Sequence, residues 1–242
     1  VSKDLPSGVM NMDLFKKIID QICNPWGVRI IPYFNNEPFL DPLFIDRLNY
    51  IVEKCPGSEI EISSNASLLD NEMQKKLTGI NIRELRLSVF GFTEKSHHNI
   101  MPGLNWSVVA KNVESLVENK DLREGIGQIS LVMINYPGIE KEDIDSAKLF
   151  CKNHFIKFEF WGFLDRGGNV KNYSNDIYKD KVTGCEQRRP QERMHITFDG
   201  KVVLCCMDWR WDYVLGSLCD HTIKEIWSSD KYQKIRKDIY NN

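Results

Sequence analysis

With 242 residues, 42% of them hydrophobic and 27% charged, the chain is long enough to bury a substantial core as one large α/β domain or two smaller ones. A formal net charge of −2 gives no electrostatic case for nucleic acid as a partner, and no apolar run approaches a membrane span. Seven cysteines, at positions 23, 55, 151, 185, 205, 206 and 219, suit thiols or a cluster in a reducing cytoplasm better than a disulfide framework. Residues 12–22 (MDLFKKIIDQI) place apolar side chains at 12, 15, 18, 19 and 22, which is helical spacing. Residues 28–34 (VRIIPYF) read as a strand that Pro32 opposes. Residues 41–55 return to helical spacing through Leu43, Phe44, Ile45, Leu48, Ile51 and Val52. EIEISS (59–64) alternates as a strand, and LLDNEMQKKL is a short helix with acids near its start and Lys75 and Lys76 at its end. Residues 82–90 alternate again. Residues 105–117 form a helix with Asn105 as its candidate cap. A strand (GQISLVMI), a helix (140–152) and a strand (155–163) follow.

Strand and helix thus alternate through residue 163, which predicts parallel βαβ units as a barrel or a doubly wound sheet. Periodicity does not choose between the two. In both, ligands gather at the carboxyl ends of the strands. Those positions hold Asn35-Asn36-Glu37-Pro38, Ser64-Asn65-Ala66, Ser88-Val89-Phe90-Gly91, Asn135-Tyr136-Pro137 and residues 165–169. Amides, hydroxyls and a carboxylate at one rim suit a polar organic ligand with an amine and a ribose, although Asn, Gly and Pro also furnish any such loop. Glu37 stands out, because the turn itself has no need of its carboxylate.

The C-terminal part is organised around MHITFDGKVVLCC (194–206). His195, Thr197 and Asp199 alternate with Ile196 and Phe198, Asp199-Gly200 supplies a tight turn, and an apolar run returns through Val202, Val203 and Leu204. This β-hairpin has Cys185 before its first strand and Cys205-Cys206 ending its second. Cysteines at a hairpin are often small buried apolar residues, but thiolates gathered on a short rigid turn also suit a metal or iron–sulfur site. Cys23, Cys55 and Cys151 lie in or beside predicted helices and read as core, and Cys219 is unassigned. His97 and His98 read as ordinary loop histidines. The aromatic stretches 161–163 and 208–213 either line a pocket or pack between domains.

The spacing of Cys185, Gly200 and Cys205, followed by Gly216-Ser217-Leu218, residues 222–227, Lys231 and Arg236, resembles the SPASM domain of radical S-adenosylmethionine enzymes. Asn35-Asn36-Glu37-Pro38 looks like that family's Gly-Gly-Glu-Pro motif, with both glycines replaced. The resemblance implies a partial (β/α)6 TIM-like barrel over residues 1–169 and a SPASM-like auxiliary-cluster domain over residues 170–242. It implies S-adenosylmethionine and 4Fe-4S clusters as cofactors, with Cys185 and Cys205 ligating an auxiliary cluster. Asn35, Asn36, Glu37 and Pro38 would meet the methionyl amine, Ser64 and Asn65 the ribose and methionine, Ser88 the methionyl carboxylate, and Leu164 the adenine. The family's arginine for that carboxylate has no counterpart at residues 97–101. The C-x3-C-x2-C loop of the radical cluster is expected before Val1, and the remaining SPASM cysteines after Asn242. The implied reaction is reductive cleavage of S-adenosylmethionine and hydrogen abstraction from a peptide or a small sugar- or aminocyclitol-like molecule, ending in oxidation, crosslinking or epimerisation. A donor such as flavodoxin or ferredoxin would supply the electron. Cys206, a hydrogen-atom donor, a cluster ligand or plain core, and Asp208, a proton acceptor, are the candidate catalytic residues. The alternative is an inactive relative that uses the cysteine hairpin for zinc or partner binding.

Overall fold

Several helices begin where a side chain can satisfy the free amides of a first turn. Asn11 caps α1 (Met12–Ile22) by accepting the Asp13 N–H at 2.7 Å. Asp70 caps α3 (Asn71–Leu77) through Met73, and Asn105 caps α5 (Trp106–Glu118) as its sequence predicts. The structure is a computed structural model that describes residues 7–23, 27–163, 166 and 184–240. Among these, the chain divides into two units, residues 24–163 and residues 1–23 with 164–242.

The first unit is a five-stranded parallel sheet: β1 (Arg29–Ile30), β2 (Glu59–Ser64), β3 (Glu84–Ser88), β4 (Ile129–Ile134) and β5 (Lys157–Trp161). The strands lie side by side in chain order, with no reversal of the kind that defines a doubly wound sheet. That order is the wall of a partial barrel, and it settles the choice that periodicity left open. The connections carry α2 (Phe44–Lys54), α3, then α4 (Glu94–Ile100), α5 and α6 (Lys120–Glu124), and finally α7 (Lys141–Asn153). β1 is shorter than its sequence pattern, stopping two residues before Pro32, which cannot donate to a ladder. α4 has no apolar period to announce it; Thr93 and Ser96 close a capping box that starts it.

The two faces of this sheet differ. Ile60, Ile62, Leu85, Leu87, Leu131 and Met133 are buried, and Leu48, Ile51, Val109, Val113, Leu116 and Ala147 of the helices are buried with them. The alternate positions carry Glu59, Glu61 and Ser63, then Glu84, Arg86 and Ser88, then Ser130, Val132 and Ile134, then Lys157, Glu159 and Trp161. A parallel sheet with helices on both faces reads as continuously apolar. Polar alternation in these strands therefore marks a face that no helix covers.

The second unit holds a three-stranded antiparallel sheet: β6 (His195–Ile196), β7 (Lys201–Val203) and β8 (Val214–Ser217). Gly200 makes the predicted turn at φ +83, and a Cβ there would lie 3.1 Å from Leu14 Cδ2 and 3.3 Å from Cys219 Sγ. Three helices accompany the sheet: α8 (Arg189–Glu192), α9 (Ile223–Trp227) and α10 (Asp230–Tyr240). A fourth is α1, whose Ile18 joins Val202, Leu215, Leu218, Ile226 and Tyr232 in one core. Lys17 Nζ donates to the Leu218 carbonyl at 2.6 Å, and Gln21 accepts the Ile223 N–H at 2.9 Å. By packing, α1 thus belongs with residues 164–242, although its sequence position places it ahead of the strands.

The residues that follow the hairpin are its scaffold. A Cβ on Gly216 would lie 2.9 Å from Ile226, Lys231 Nζ donates to the Val214 carbonyl at 2.6 Å, and Arg236 donates to the carbonyls of Pro190 and Trp227, each at 2.8 Å. The Arg236 guanidinium also lies 3.7 Å from the Tyr232 ring centre and 4.0 Å from that of Trp227.

Candidate functional site

In the parallel-sheet unit, chemistry collects at the carboxyl ends of β1, β2 and β3. The chain leaves β1 through exposed Asn35 and Asn36 and enters a 3-10 turn at Pro38–Leu40, with Glu37 as its cap. The Asn36 carboxamide accepts the Phe34 N–H at 3.1 Å, which shapes the loop. One oxygen of Glu37 accepts the Ser64 hydroxyl at 2.8 Å and the Phe39 N–H at 3.3 Å, and the other accepts the Asn65 N–H at 2.7 Å. Glu37, Ser64 and Asn65 therefore form one cluster, across 28 positions of sequence. A carboxylate has about four acceptor positions; three are filled. Burial raises the Glu37 pKa against these hydrogen bonds, so the ionised form is held at a cost that a cation alongside would offset. Ser88 ends β3, its hydroxyl 3.1 Å from that of Ser63 on β2. Leu164 lies outside the described residues.

Below this rim runs the polar face of the sheet, which the sequence reading did not assign. Arg86 bonds to Glu61 and, at 2.7 Å, to Glu84; Glu84 also accepts from Gln128 at 3.0 Å and Ser130 at 2.9 Å. Glu159 takes the Lys157 ammonium at 2.7 Å and the Trp161 indole N–H at 2.8 Å. Burial would raise the Glu159 carboxyl, but these two bonds outweigh it and hold the pKa below its ordinary value. Trp161 is fixed over the Arg86 guanidinium, 5.8 Å from its ring centre, and 41% of it stays exposed. The Tyr33 phenol is pushed up to about 12, by burial first and by Glu61 second. The signal was present in EIEISS, ELRLS and KFEFW, whose alternation is too polar for a sheet covered on both faces.

In the hairpin unit, Cys185, Cys205, Cys206 and Asp208 are all partly buried. Cys205 Sγ accepts the Met207 N–H at 3.4 Å and faces Arg189 Nη1 at 3.9 Å. The hydrogen bond from Cys206, with these two donors, pulls the Cys205 thiol well below its ordinary range. The same contact, with burial, raises the Cys206 thiol. The Met207 N–H and Arg189 both favour the thiolate form of Cys205, the donor form an iron–sulfur cluster requires. Asp208 has structural work: its carboxylate accepts the N–H groups of Asp212 at 2.9 Å and Tyr213 at 3.0 Å, closing the turn after the cysteine pair. Among the described residues, no three His, Cys, Asp or Glu side chains gather closely enough to hold a metal ion.

The family model described as the Radical SAM superfamily matches residues 3–151, more than half of the chain. The chain belongs to the radical SAM superfamily. A second family model, SPASM, described as an iron-sulfur cluster-binding domain, matches residues 185–242. Membership in these families implies S-adenosylmethionine and 4Fe-4S clusters as cofactors. No curated protein matches the sequence. Among solved structures, the chain is similar to BtrN in complex with AdoMet and 2-DOIA, at 18% identity and a TM-score of 0.62, covering 99% of this chain and 78% of that one. It is similar to anSMEcpe with bound AdoMet, at 15% identity and a TM-score of 0.71, over 98% and 77% of the two chains. It is also similar to Streptococcus suis SuiB bound to precursor peptide SuiA, at 14% identity and a TM-score of 0.75, over 98% and 62%. At these identities the likeness is one of fold: the partial barrel wall of radical SAM proteins, with a small antiparallel sheet toward the C-terminus. Among the described residues, no helix is long and apolar enough to cross a membrane.

Proposed function

We propose that this radical SAM protein is an enzyme that cleaves S-adenosylmethionine reductively and abstracts a hydrogen atom from a peptide or a small polar molecule. The observation that carries the reading is the Glu37 carboxylate, fixed at the carboxyl ends of the strands by Ser64, Asn65 and Phe39 with one acceptor position left over. An α-ammonium group there fills the last acceptor position and offsets the burial that raises the Glu37 pKa. Asn35 and Asn36 present backbone beside it, Pro38 fixes the turn, Ser64 holds the Glu37 carboxylate, Asn65 faces the ribose and methionine, and Ser88 hydrogen-bonds the methionyl carboxylate. When bound, S-adenosylmethionine and a reduced 4Fe-4S cluster supply the 5′-deoxyadenosyl radical, chemistry that no side chain of the chain performs.

The residues contribute orientation and hydrogen bookkeeping. Tyr33, Ser63, Ser88, Glu159 and Trp161 offer hydrogen bonds and an aromatic surface to a polar substrate. Cys206, whose thiol pKa is raised beside Cys205, is the candidate hydrogen-atom donor for a product radical. Asp208 is a weaker candidate for a proton acceptor, because both its oxygens already serve the turn. Cys185 and Cys205 would ligate the auxiliary cluster. The structural neighbours include BtrN bound to 2-DOIA and SuiB bound to a precursor peptide, which is why both substrate classes stand. We place the protein in the cytoplasm with a flavodoxin- or ferredoxin-like electron donor, since the chemistry needs low potential and reduced thiols.

The test is S-adenosylmethionine binding and 5′-deoxyadenosine release by anaerobically reconstituted full-length protein. Glu37→Ala is expected to weaken cofactor binding at least tenfold, about 1.4 kcal/mol. Unchanged affinity in a folded Glu37→Ala protein removes the rim from cofactor binding, and wild-type protein that releases no 5′-deoxyadenosine ends the enzyme reading.

A further inference from the structure

Two guanidinium groups, those of Arg166 and Arg189, lie within electrostatic reach of Cys205 and Cys206. The neighbouring acid on α8, Glu192, is taken by Arg188 at 3.0 Å, and among the described residues Arg189 pairs with no carboxylate. Instead the neutral carbonyl of Gln187 accepts both Arg189 Nε at 3.0 Å and Nη2 at 2.7 Å. That fork fixes the plane of the guanidinium and leaves Nη1 pointing at Cys205 Sγ, 3.9 Å away. The Met207 N–H approaches the same sulfur at 3.4 Å. Arg236, a guanidinium of the same unit, is spent differently, on the carbonyls of Pro190 and Trp227 and on two aromatic rings. A fixed cation and an N–H aimed at one thiolate are the outer contacts that set the potential of an iron–sulfur cluster, because they favour the state with more negative charge on the sulfurs.

We propose that Arg189 is a positioning residue for the auxiliary cluster, held by Gln187 against Cys205 so that its charge raises the reduction potential of that cluster. This rests on the reading of Cys185 and Cys205 as cluster ligands. A permanent charge suits the task, since arginine stays protonated whatever the oxidation state beside it. Gln187 matters because a guanidinium paired with a carboxylate would carry a compensated charge, and a free one would sweep through several rotamers.

The experiment is a spectroelectrochemical and EPR redox titration of the reconstituted protein, with iron and sulfide contents measured on the same samples. Arg189→Met is expected to keep those contents and shift the one-electron equilibrium of the auxiliary cluster at least tenfold against reduction, about 59 mV. Arg189→Lys, which keeps charge and loses the fork, is expected to recover part of the shift, and Gln187→Leu to lose part of it. Should Arg189→Met fail to fold, Arg189→Gln removes the charge while keeping a hydrogen-bond donor and is read in the same way. A loaded cluster whose potential is the same in wild type, Arg189→Met and Arg189→Gln overturns the role of Arg189 and leaves the cluster assignment standing. Wild-type protein whose Cys185 and Cys205 bind no cluster overturns both.

Discussion

Two sites of this molecule, the polar face of the parallel sheet and the surroundings of Cys205, handle charge in opposite ways. On the polar face of the parallel sheet each cation meets carboxylates: Arg86 lies between Glu61 and Glu84, Lys157 against Glu159, and Arg29 against Glu59 at 3.0 Å. Charge there is spent on shape, locking the orientation of side chains that line an uncovered face. In the hairpin unit, Arg189 meets a neutral amide and a thiol, and its field acts on whatever shares that space. The difference teaches where to look for chemistry. A neutralised network builds a surface, and a cation without a counter-carboxylate tunes a partner.

The sheet side of this comparison breaks most visibly at Arg86. Arg86→Met leaves Glu61 and Glu84 facing each other in a site where their side chains are 7% and 12% exposed. Removing one partner of such a buried cluster costs about 3–5 kcal/mol, read by denaturant unfolding. A loss below about 1 kcal/mol would mean that water already reaches those carboxylates and that the face is a surface, not a structured floor.

The hairpin side is sharpened by His195. Burial first, then Arg189 and Arg193, hold its pKa down at about 4, against an ordinary 6.5. A base with a depressed folded pKa binds its proton more readily when unfolded. Stability is therefore full above about pH 6.5 and falls as the pH drops from there to about 4, by roughly 3 kcal/mol in all. His195→Gln is expected to flatten this acid limb in a series of melts between pH 7 and pH 4. A wild-type limb that persists unchanged in the variant would assign it to another group.

The smallest effect belongs to a surface pair. Lys95 and Glu140 lie 3.1 Å apart with side chains 79% and 60% exposed, so Lys95→Ala is expected to change stability by less than about 1 kcal/mol. A larger loss would mean that distance, and not burial, governs the ion pairs of the sheet unit.

Much of this was legible in residues 12–22, 59–64 and 129–134, where spacing fixes helix or strand. Apolar residues recur at the period of one element or the other, and Asn105 marks the start of α5. The hairpin was legible too, because Asp199-Gly200 needs a positive φ that few residues supply. Glu37 could be singled out at its strand end, although its carboxylate also caps the turn through the Phe39 N–H. That Ser64 and Asn65 bond to it could not be read, since they reach it only when β1 and β2 lie side by side.

By itself, then, the sequence determined the order of strands and helices and the placing of the thiols on a tight turn, because propensity, capping and turn geometry act over a few residues. Only the tertiary structure decided that α1 packs with the hairpin unit, that Arg86 is held between Glu61 and Glu84, and that Arg189 points at Cys205. Ile18 meets Val202, and Arg86 meets Glu61, across intervals that no local period encodes. Such contacts form where burial of the whole core is best satisfied, and that optimum belongs to the folded chain as a whole.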